Sequence, residues 1–262
     1  ETVTLYGRGV YRLDTIFQGG GSVGTDVVVL FVVVPLLATA AWRYHQGSVR
    51  GGLALIGALA YMLYVYAHRG LSNAYNELLL LYVAAFSASF FAFVVSLTAV
   101  DPAIFAGAAT SPRLRRAAGL FMLTAALLTS YVWLEPLIVA LRQHKPPALL
   151  DSYTTMVTDT LDLAIIVPST VLAGVLILRR QPQGMLIAFP LLMLLLLLGP
   201  TIALQTVFQL NAGVVFTPAE IVGPITGFLV FGACSLWIEA VLLRRIGPIA
   251  TASEHAPMPP TL

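Results

Sequence analysis

Seven long apolar runs constrain this chain more than any other feature of its sequence. A helix that crosses the hydrocarbon core of a bilayer needs about 20 mostly apolar residues. The runs are residues 26–42, 51–67, 78–100, 118–141, 160–178, 185–210 and 221–243. They are continuously apolar rather than alternating, which excludes a β-barrel, and an open sheet would leave backbone amides unpaired in lipid. The sequence therefore predicts an all-α polytopic membrane helix bundle with seven transmembrane helices.

The composition agrees with this fold class and excludes other kinds of protein. Apolar residues make up 58% of the chain and charged residues 10%, whereas soluble domains carry about 25% charged residues. A net charge of +2 provides no basic field for binding nucleic acid. The single cysteine, Cys234, excludes an internal disulfide and a cysteine-rich zinc site. One lysine against 13 arginines is typical of a GC-rich bacterial genome, so we expect a multi-pass protein of the bacterial inner (cytoplasmic) membrane.

The arginines predict the orientation of the bundle, because basic residues are enriched in cytoplasmic loops. Nine of the 14 basic residues fall on one side of the seven runs, and eight of the 12 acidic residues fall on the other side or at its membrane face. The N-terminus is therefore expected outside and the C-terminus in the cytoplasm. The basic residues of the cytoplasmic side are Arg43, Arg50, Arg113, Arg115, Arg116, Arg179, Arg180, Arg244 and Arg245.

The chain divides into three parts by composition. Residues 1–24 place Tyr6, Tyr11 and Phe17 ahead of the first run, and we expect them to form an extracytoplasmic interfacial leader. Residues 25–246 form the transmembrane domain. Residues 247–262 are rich in proline and nearly uncharged, so they are expected to be a disordered cytoplasmic tail.

Two segments of the chain repeat the same residues at an offset of 133. Residues 25–59 and 158–192 share nine identities in 35 positions. One interpretation is an internal repeat of residues 25–100 and 158–246 joined by a linker helix at 118–141, since parallel repeats occur among secondary transporters. The other is chance among apolar residues, together with Thr-Asp pairs that cap helices and prolines that lipid-embedded helices tolerate. The paired residues are Thr25, Asp26, Val34 and Pro35 in the first segment and Thr158, Asp159, Val167 and Pro168 in the second.

The three-plus-one-plus-three layout, together with Pro35 and Pro168, resembles the sugar-transporter family that carries paired prolines in its helices. This resemblance implies transport of a small solute. The proline–glutamine pair of this chain, Pro182–Gln183, lies in a predicted cytoplasmic turn rather than within a helix. No family is therefore assigned from the sequence.

Several chemistries of seven-helix proteins are excluded. A retinal Schiff base needs a lysine in the last span, but the only lysine, Lys145, falls in an outer loop. A haem held between spans needs intramembrane histidines, and all four histidines fall in loops, at span ends or in the tail. Nucleotide-binding and hydrolase motifs are also absent from the sequence. We therefore do not expect an enzyme, and the sequence assigns neither a cofactor nor a metal.

Carboxylates near the outer face are the candidates for a substrate or ion pathway. An acidic residue inside a span is costly in lipid, so it normally faces the bundle interior, a watery cavity or a partner. Asp159 and Asp162 are spaced i, i+3 and so share a helix face, as do two glutamines of the sixth run that are spaced i, i+4. The candidate pathway residues are Glu135, Asp159, Asp162, Asp26, Gln205 and Gln209.

Each candidate also has a purely structural interpretation. Asp26 and Asp159 follow a threonine and precede an apolar run, so both are expected to cap helices. Glu135 and Asp162 fall inside their spans, where an ion pair with Arg142 or with a neighbouring helix is the alternative. The two glutamines would serve equally well in hydrogen bonds between helices.

One further carboxylate, Glu239, lies near the inner end of the seventh run. A long side chain in this position reaches the membrane surface easily. We therefore expect a salt bridge from Glu239 to Arg244 or Arg43, and no functional role.

Three functions are open at this point. The first is a carrier or conduit for a small solute or cation that uses an outward-facing carboxylate site. The alternative is a non-catalytic subunit or sensor of a larger membrane complex, with partner subunits or a homo-oligomer, which the short loops and very apolar spans favour. The third is an outer-leaflet enzyme in which Asp159 and Asp162 bind a divalent metal. In all three cases the lipid bilayer is a partner and nucleic acid is not.

Overall fold

The structure, a computed structural model, describes residues 3–106 and 111–246. Seven helices in these ranges are long and apolar enough to cross a membrane, which confirms the all-α seven-helix bundle and makes the chain an integral, multi-pass membrane protein in contact with lipid. The tail predicted at 247–262 lies outside the described residues. The seven helices are α1 (Ile16–His45), α2 (Val49–Ser72), α3 (Leu79–Thr98), α4 (Pro112–Gln143), α5 (Val157–Leu178), α6 (Pro182–Asn211) and α7 (Pro218–Arg245).

Helix α6 forms the centre of the bundle together with α2. It packs against α1, α2, α5 and α7, while α2 packs against α1, α3 and α6. The apolar stretch of α6 is 56% buried, compared with 11% in α3 and 17% in α7, which lie at the periphery. The largest fully buried side chains, among them Tyr61, Phe189 and Leu192, come mainly from α2 and α6. The peripheral helices therefore present most of the apolar surface that lipid covers.

The first helix begins ten residues earlier than its apolar run indicates. The run was predicted to begin at Asp26, but α1 begins at Ile16, after Thr15, whose hydroxyl accepts a hydrogen bond from the backbone N–H of Gln18 at 3.2 Å. Residues 16–24 therefore belong to the membrane helix and not to a separate leader. Glycine is a poor helix former, so the three consecutive glycines in this stretch do not predict a helix.

These glycines let α1 approach the backbone of α6. A Cβ atom at Gly20 would lie 2.9 Å from Cα of Gln209, and one at Gly24 would lie 2.5 Å from the backbone nitrogen of Gln205. Distances this short are not reached by real Cβ atoms, so the two positions accept only glycine without displacing a helix. The tight contact places the outer turns of α1 directly against the end of α6.

Helices α1 and α5 share the same interruption of their hydrogen bonding. A five-residue π-helical turn covers Val29–Val33 in α1 and Asp162–Ile166 in α5, again 133 residues apart. Each turn ends directly before a Val-Pro pair, and proline removes one helical hydrogen bond and displaces the carbonyl four residues earlier. The arrangement agrees with the predicted internal repeat, as does the packing of α2 between α1 and α3 and of α6 between α5 and α7. Because the shared proline by itself accounts for the shared turn, the repeat stays a prediction.

Candidate functional site

A cleft of about 320 Å³ lies beside the start of α5, at the end of the bundle where α1, α3, α5 and α7 begin. We call this end the outer end, after the predicted orientation. The cleft is bounded by the last turns of α4, by the loop that follows, and by the first turns of α5. Its apolar lining includes Leu137 and Leu163, and its polar lining consists of Asp159 and three threonines. The threonines are Thr154, Thr155 and Thr160.

Asp159 is the buried acid of this cleft. It is 5% exposed, and its Oδ1 atom has no hydrogen-bond partner among the described residues. It is the third residue of α5, which begins at Val157, so it does not cap the helix as predicted; the capping position is occupied by Met156. The positive end of the helix dipole still lies at the carboxylate. A carboxylate in the wall of a cleft, with a buried oxygen that accepts no hydrogen bond, is suited to a positively charged ligand.

Asp162 lies one turn deeper and is fully engaged. Its Oδ1 accepts a hydrogen bond from the Tyr64 hydroxyl at 2.9 Å, and its Oδ2 accepts one from Nε1 of Trp133 at 2.8 Å. The carboxylate thereby joins α2, α4 and α5 just below the cleft. Neither donor is charged, so the negative charge of Asp162 remains uncompensated by these bonds. We did not predict Tyr64 or Trp133, although a polar atom on a buried aromatic ring usually finds a partner.

Glu135 is not brought together with these two acids. Its side chain is exposed on α4, and it forms no hydrogen bond or ion pair in the described part of the chain, so the predicted pair with Arg142 is not formed. The reason is geometric. Trp133 faces Asp162, and a residue two positions further along a helix points to the opposite side.

Asp26 belongs to a separate polar cluster on α1. Its Oδ1 accepts a hydrogen bond from the Arg69 guanidinium at 2.9 Å, and its Oδ2 accepts one from the Tyr11 hydroxyl at 2.6 Å. Arg69, which is 4% exposed, also donates to the backbone oxygen of Ser22 at 2.6 Å and to its hydroxyl. The prediction that Asp26 caps a helix is wrong, because the helix that contains it begins ten residues earlier and is capped by Thr15.

The segment before α1 is folded against the loops at the outer end of the bundle. Its centre is Asp14, which is 1% exposed and whose Oδ1 accepts hydrogen bonds from the backbone N–H of Ala74 at 2.7 Å and from the Tyr153 hydroxyl at 2.9 Å. Burial raises the pKa of both Tyr11 and Tyr153 above the usual range, so both phenols remain protonated donors. The segment thus connects the loop after α2 to the loop after α4.

The two candidate glutamines connect α6 to α1. Nε2 of Gln205 donates to the Thr25 hydroxyl at 2.7 Å, and Nε2 of Gln209 donates to the backbone oxygen of Phe17 at 3.1 Å. These are hydrogen bonds between helices, which was the structural interpretation of the pair. Neither glutamine lines the outer cleft.

Glu239 does not form the predicted salt bridge. It is 3% exposed on α7, and no ion pair to Arg244 or Arg43 exists within the residues that the structure describes. The side chain lies in the contact between α7 and the rest of the bundle instead of extending to the membrane surface. Its Oε1 atom has no hydrogen-bond partner there.

Residues 3–106 and 111–246 do not contain a set of side chains placed to bind a metal ion. No group of three or more histidine, cysteine, aspartate or glutamate side chains is placed to hold an ion. Asp159 and Asp162 share a helix face, but both oxygens of Asp162 already accept hydrogen bonds. The geometry therefore gives no support to the metal-dependent enzyme.

We expect the Tm of Glu77→Gln to fall less than that of the wild type when the pH is lowered from neutral to acidic values. Arg12 donates to Glu77 at 2.6 Å and holds the pKa of Glu77 below its usual value of about 4.3. The pair therefore stabilises the fold above pH about 4.3, and this contribution is lost as the pH falls through the lowered pKa. Both side chains are more than half exposed, so the effect is small.

The measurement is the Tm of both proteins at pH 7 and pH 3. We expect the wild type to be slightly more stable than Glu77→Gln at pH 7, and we expect this difference to be smaller at pH 3. Arg12→Gln should reproduce the result, because it removes the other member of the pair. An equal difference at the two pH values would contradict the role of the ion pair.

Comparison with known proteins gives no relative for this chain. No protein-family model matches it, and neither a curated protein nor a solved structure does. The resemblance to the sugar-transporter family therefore gains no support. The geometry of the outer cleft remains the main basis for a function.

Proposed function

We propose that this membrane protein is a carrier or conduit whose outer cleft takes up a small cationic solute. The observation that carries the proposal is the carboxylate of Asp159, which lies in the wall of a cleft at the outer end and whose buried Oδ1 atom accepts no hydrogen bond among the described residues. A charge in this position is stable only when a cation, a proton or a strong donor approaches it. The cleft itself supplies no such group among its lining residues.

The lining favours a small organic ammonium or guanidinium ion. Hydroxyl groups of the three threonines offer further acceptors around Asp159, and Leu137 and Leu163 offer surface for an alkyl group. Asp162 adds a second negative charge one helical turn away, about 5 Å along the axis. The volume of about 320 Å³ corresponds to about ten water molecules. A ligand with one positive charge and a short apolar part matches these properties.

The backbone below the cleft supports transport rather than binding alone. The π turn Asp162–Ile166 begins three residues after Asp159 and is followed by Pro168. Both features interrupt the regular hydrogen bonding of a helix and are sites where helices bend. A bend of α5 at this turn would move Asp159 relative to α2 and α4, which Asp162 connects through Tyr64 and Trp133. Ligand occupancy at Asp159 would in this way be coupled to the position of the helix.

We expect Asp159→Asn to reduce uptake of radiolabelled methylammonium into proteoliposomes by about 10- to 100-fold. The reason is that a hydrogen bond to a charged group is worth about 1.5–3 kcal/mol. Glu135→Gln is the matched control, since it removes an exposed acid of α4 that does not line the cleft. Its uptake should equal that of the wild type.

The same preparation separates the alternatives. Uptake that is equal in wild type and Asp159→Asn would contradict the proposed site. Thermal stabilisation by methylammonium that depends on Asp159, without any uptake, would retain the site and contradict transport. Co-purification of a stoichiometric partner after mild extraction, with neither uptake nor binding, would favour the subunit of a larger complex.

A further inference from the structure

Two buried polar groups lie on α7 in the inner half of the bundle, far from the outer cleft. Ser235 is 0% exposed and Glu239 is 3% exposed. The hydroxyl oxygen of Ser235 and Oε1 of Glu239 both lack a hydrogen-bond partner among the described residues. Their spacing of i, i+4 places them on the same face of the helix. Unpaired polar atoms that are buried this completely are rare in proteins and indicate a ligand or a missing partner.

Ser235 differs from the other buried serines and threonines of the membrane helices. A buried serine or threonine in a helix commonly donates to the carbonyl oxygen four residues earlier. The Ser235 hydroxyl makes no such bond, so both its proton and its lone pairs are free. The buried hydroxyls that do make this bond are those of Thr25, Ser89, Thr170, Thr201 and Thr206.

The face that carries these two groups packs against α6. Gly232 lies three residues before Ser235, and a Cβ atom there would be 3.5 Å from the carbonyl oxygens of both Leu195 and Leu196. Since α6 and α7 are adjacent and antiparallel, moving along α7 from Gly232 to Glu239 corresponds to moving back along α6 by about two turns. This part of α6 therefore faces the two unpaired groups.

Among the described residues, no basic side chain forms an ion pair with Glu239. Helix α6 has no titratable residue along its whole length. Helix α4, which also packs against α7, carries arginines at its inner end, of which Arg115 is the most buried. The last turn of α7 carries Arg244 and Arg245. None of these arginines forms an ion pair with Glu239 in the part of the chain that the structure covers. An isolated carboxylate in such surroundings requires a bound cation.

We propose that Glu239 and Ser235 form a buried site for one monovalent cation, either a proton or a sodium ion. All the donors are oxygen atoms, which hard cations prefer. A single carboxylate balances a single positive charge, whereas sites for calcium normally contain several carboxylates. This inner site is independent of the outer cleft and goes beyond the binding of an organic cation. If the protein is a carrier, the inner site supplies the position of a coupling ion.

The test is an infrared measurement on the full chain in lipid nanodiscs. The C=O stretch of a protonated carboxyl group is recorded for wild type and for Glu239→Gln in sodium-free buffer. We expect a band that the wild type shows and Glu239→Gln lacks, and that disappears reversibly when the pH is raised. Glu77→Gln, which removes an exposed acid, should retain the band.

Sodium distinguishes the two ions. A band that is lost on addition of sodium chloride but not of choline chloride assigns the site to sodium in competition with a proton. A band that responds to pH and not to sodium assigns it to a proton. A carboxyl band that is unchanged in Glu239→Gln would overturn the proposal, and so would a Glu239 band that neither exchanges in heavy water nor responds to pH or sodium.

Ser235→Ala keeps the carboxylate and tests the hydroxyl group. We expect it to move the midpoint of the pH or sodium titration several-fold in cation concentration, because one hydrogen bond or ligand is lost. This variant removes a single oxygen atom from the contact between α6 and α7, so it provides the test even where Glu239→Gln fails to fold. An unchanged midpoint would overturn the assignment of Ser235 to the site.

Discussion

Replacing Arg69 by methionine is expected to lower the stability of the protein by about 2–4 kcal/mol, which corresponds to a decrease of about 5–10 °C in Tm. Arg69 is 4% exposed and forms the only ion pair of Asp26 in the described residues. Its guanidinium also lies over the ring of Tyr11, 5.1 Å from the centroid. The variant leaves Asp26 and Ser22 without their shared donor and the Tyr11 ring without the cation that covers it. We expect less than the full cost of breaking a buried pair, because the side chain of Asp26 is 52% exposed and remains partly hydrated.

Thermal unfolding of the purified protein in detergent measures this effect. The matched control is Arg8→Met. Arg8 is exposed, and its guanidinium lies over the ring of Tyr6. A surface change of this kind costs no more than about 0.5 kcal/mol. The double variant Arg69→Met, Asp26→Asn should recover part of the loss, because it removes the uncompensated charge. Equal Tm values for Arg69→Met and Arg8→Met would contradict the role of this cluster.

The second large effect is expected from Gly24→Ala, which should destabilise the contact between α1 and α6 by about 2–4 kcal/mol. The added Cβ atom would lie 2.5 Å from the backbone nitrogen and 2.6 Å from Cα of Gln205, and 2.7 Å from the carbonyl carbon of Leu204. Backbone atoms cannot move aside as a flexible side chain can. The two helices must therefore separate, which would also break the hydrogen bond from Gln205 to Thr25.

Gly70→Ala is the informative control for this variant. Gly70 lies in α2, and a Cβ atom at this position would meet no atom within 4 Å. Alanine is the better helix former by about 1 kcal/mol, so Gly70→Ala should raise Tm slightly while Gly24→Ala lowers it. The two variants make the same chemical change and are expected to have opposite signs. A Gly24→Ala protein as stable as the wild type would show that the helices are not in the close contact described above.

The seven helices were predictable because each contains a run of apolar residues long enough to cross the bilayer, whatever its neighbours are. The start of α1 was not predictable in this way. Residues 16–24 are helical because they pack on α6, and this contact joins parts of the chain about 185 residues apart. Local helix preference, weakened by three glycines, points the other way.

The candidate site was predictable only in part, for a similar reason. The cost of an acid inside a span pointed to Asp162, its i, i+3 spacing added Asp159, and Asp159 does line a cleft. The same reasoning pointed equally to Glu135, because depth in the membrane says nothing about which side of a helix faces the bundle. The partners of Asp26 and Asp162 come from other helices, and the partner expected for Glu239 is absent from the described residues. Such pairings depend on the arrangement of helices, which no local pattern of residues specifies.

The folding of residues 3–15 against the loops at the outer end has a consequence for the order in which the protein is assembled. Asp14 is synthesised before α1, but one of its donors, Tyr153, emerges from the ribosome only after α1 to α4 are complete. The outer turns of α1 gain their partners later still, because the residues of α6 that they contact begin at Leu204. The first of the seven helices thus completes its contacts only once α6 has been made. Until then, α1 is held by its packing against α2 and by the lipid around its apolar residues 27–42.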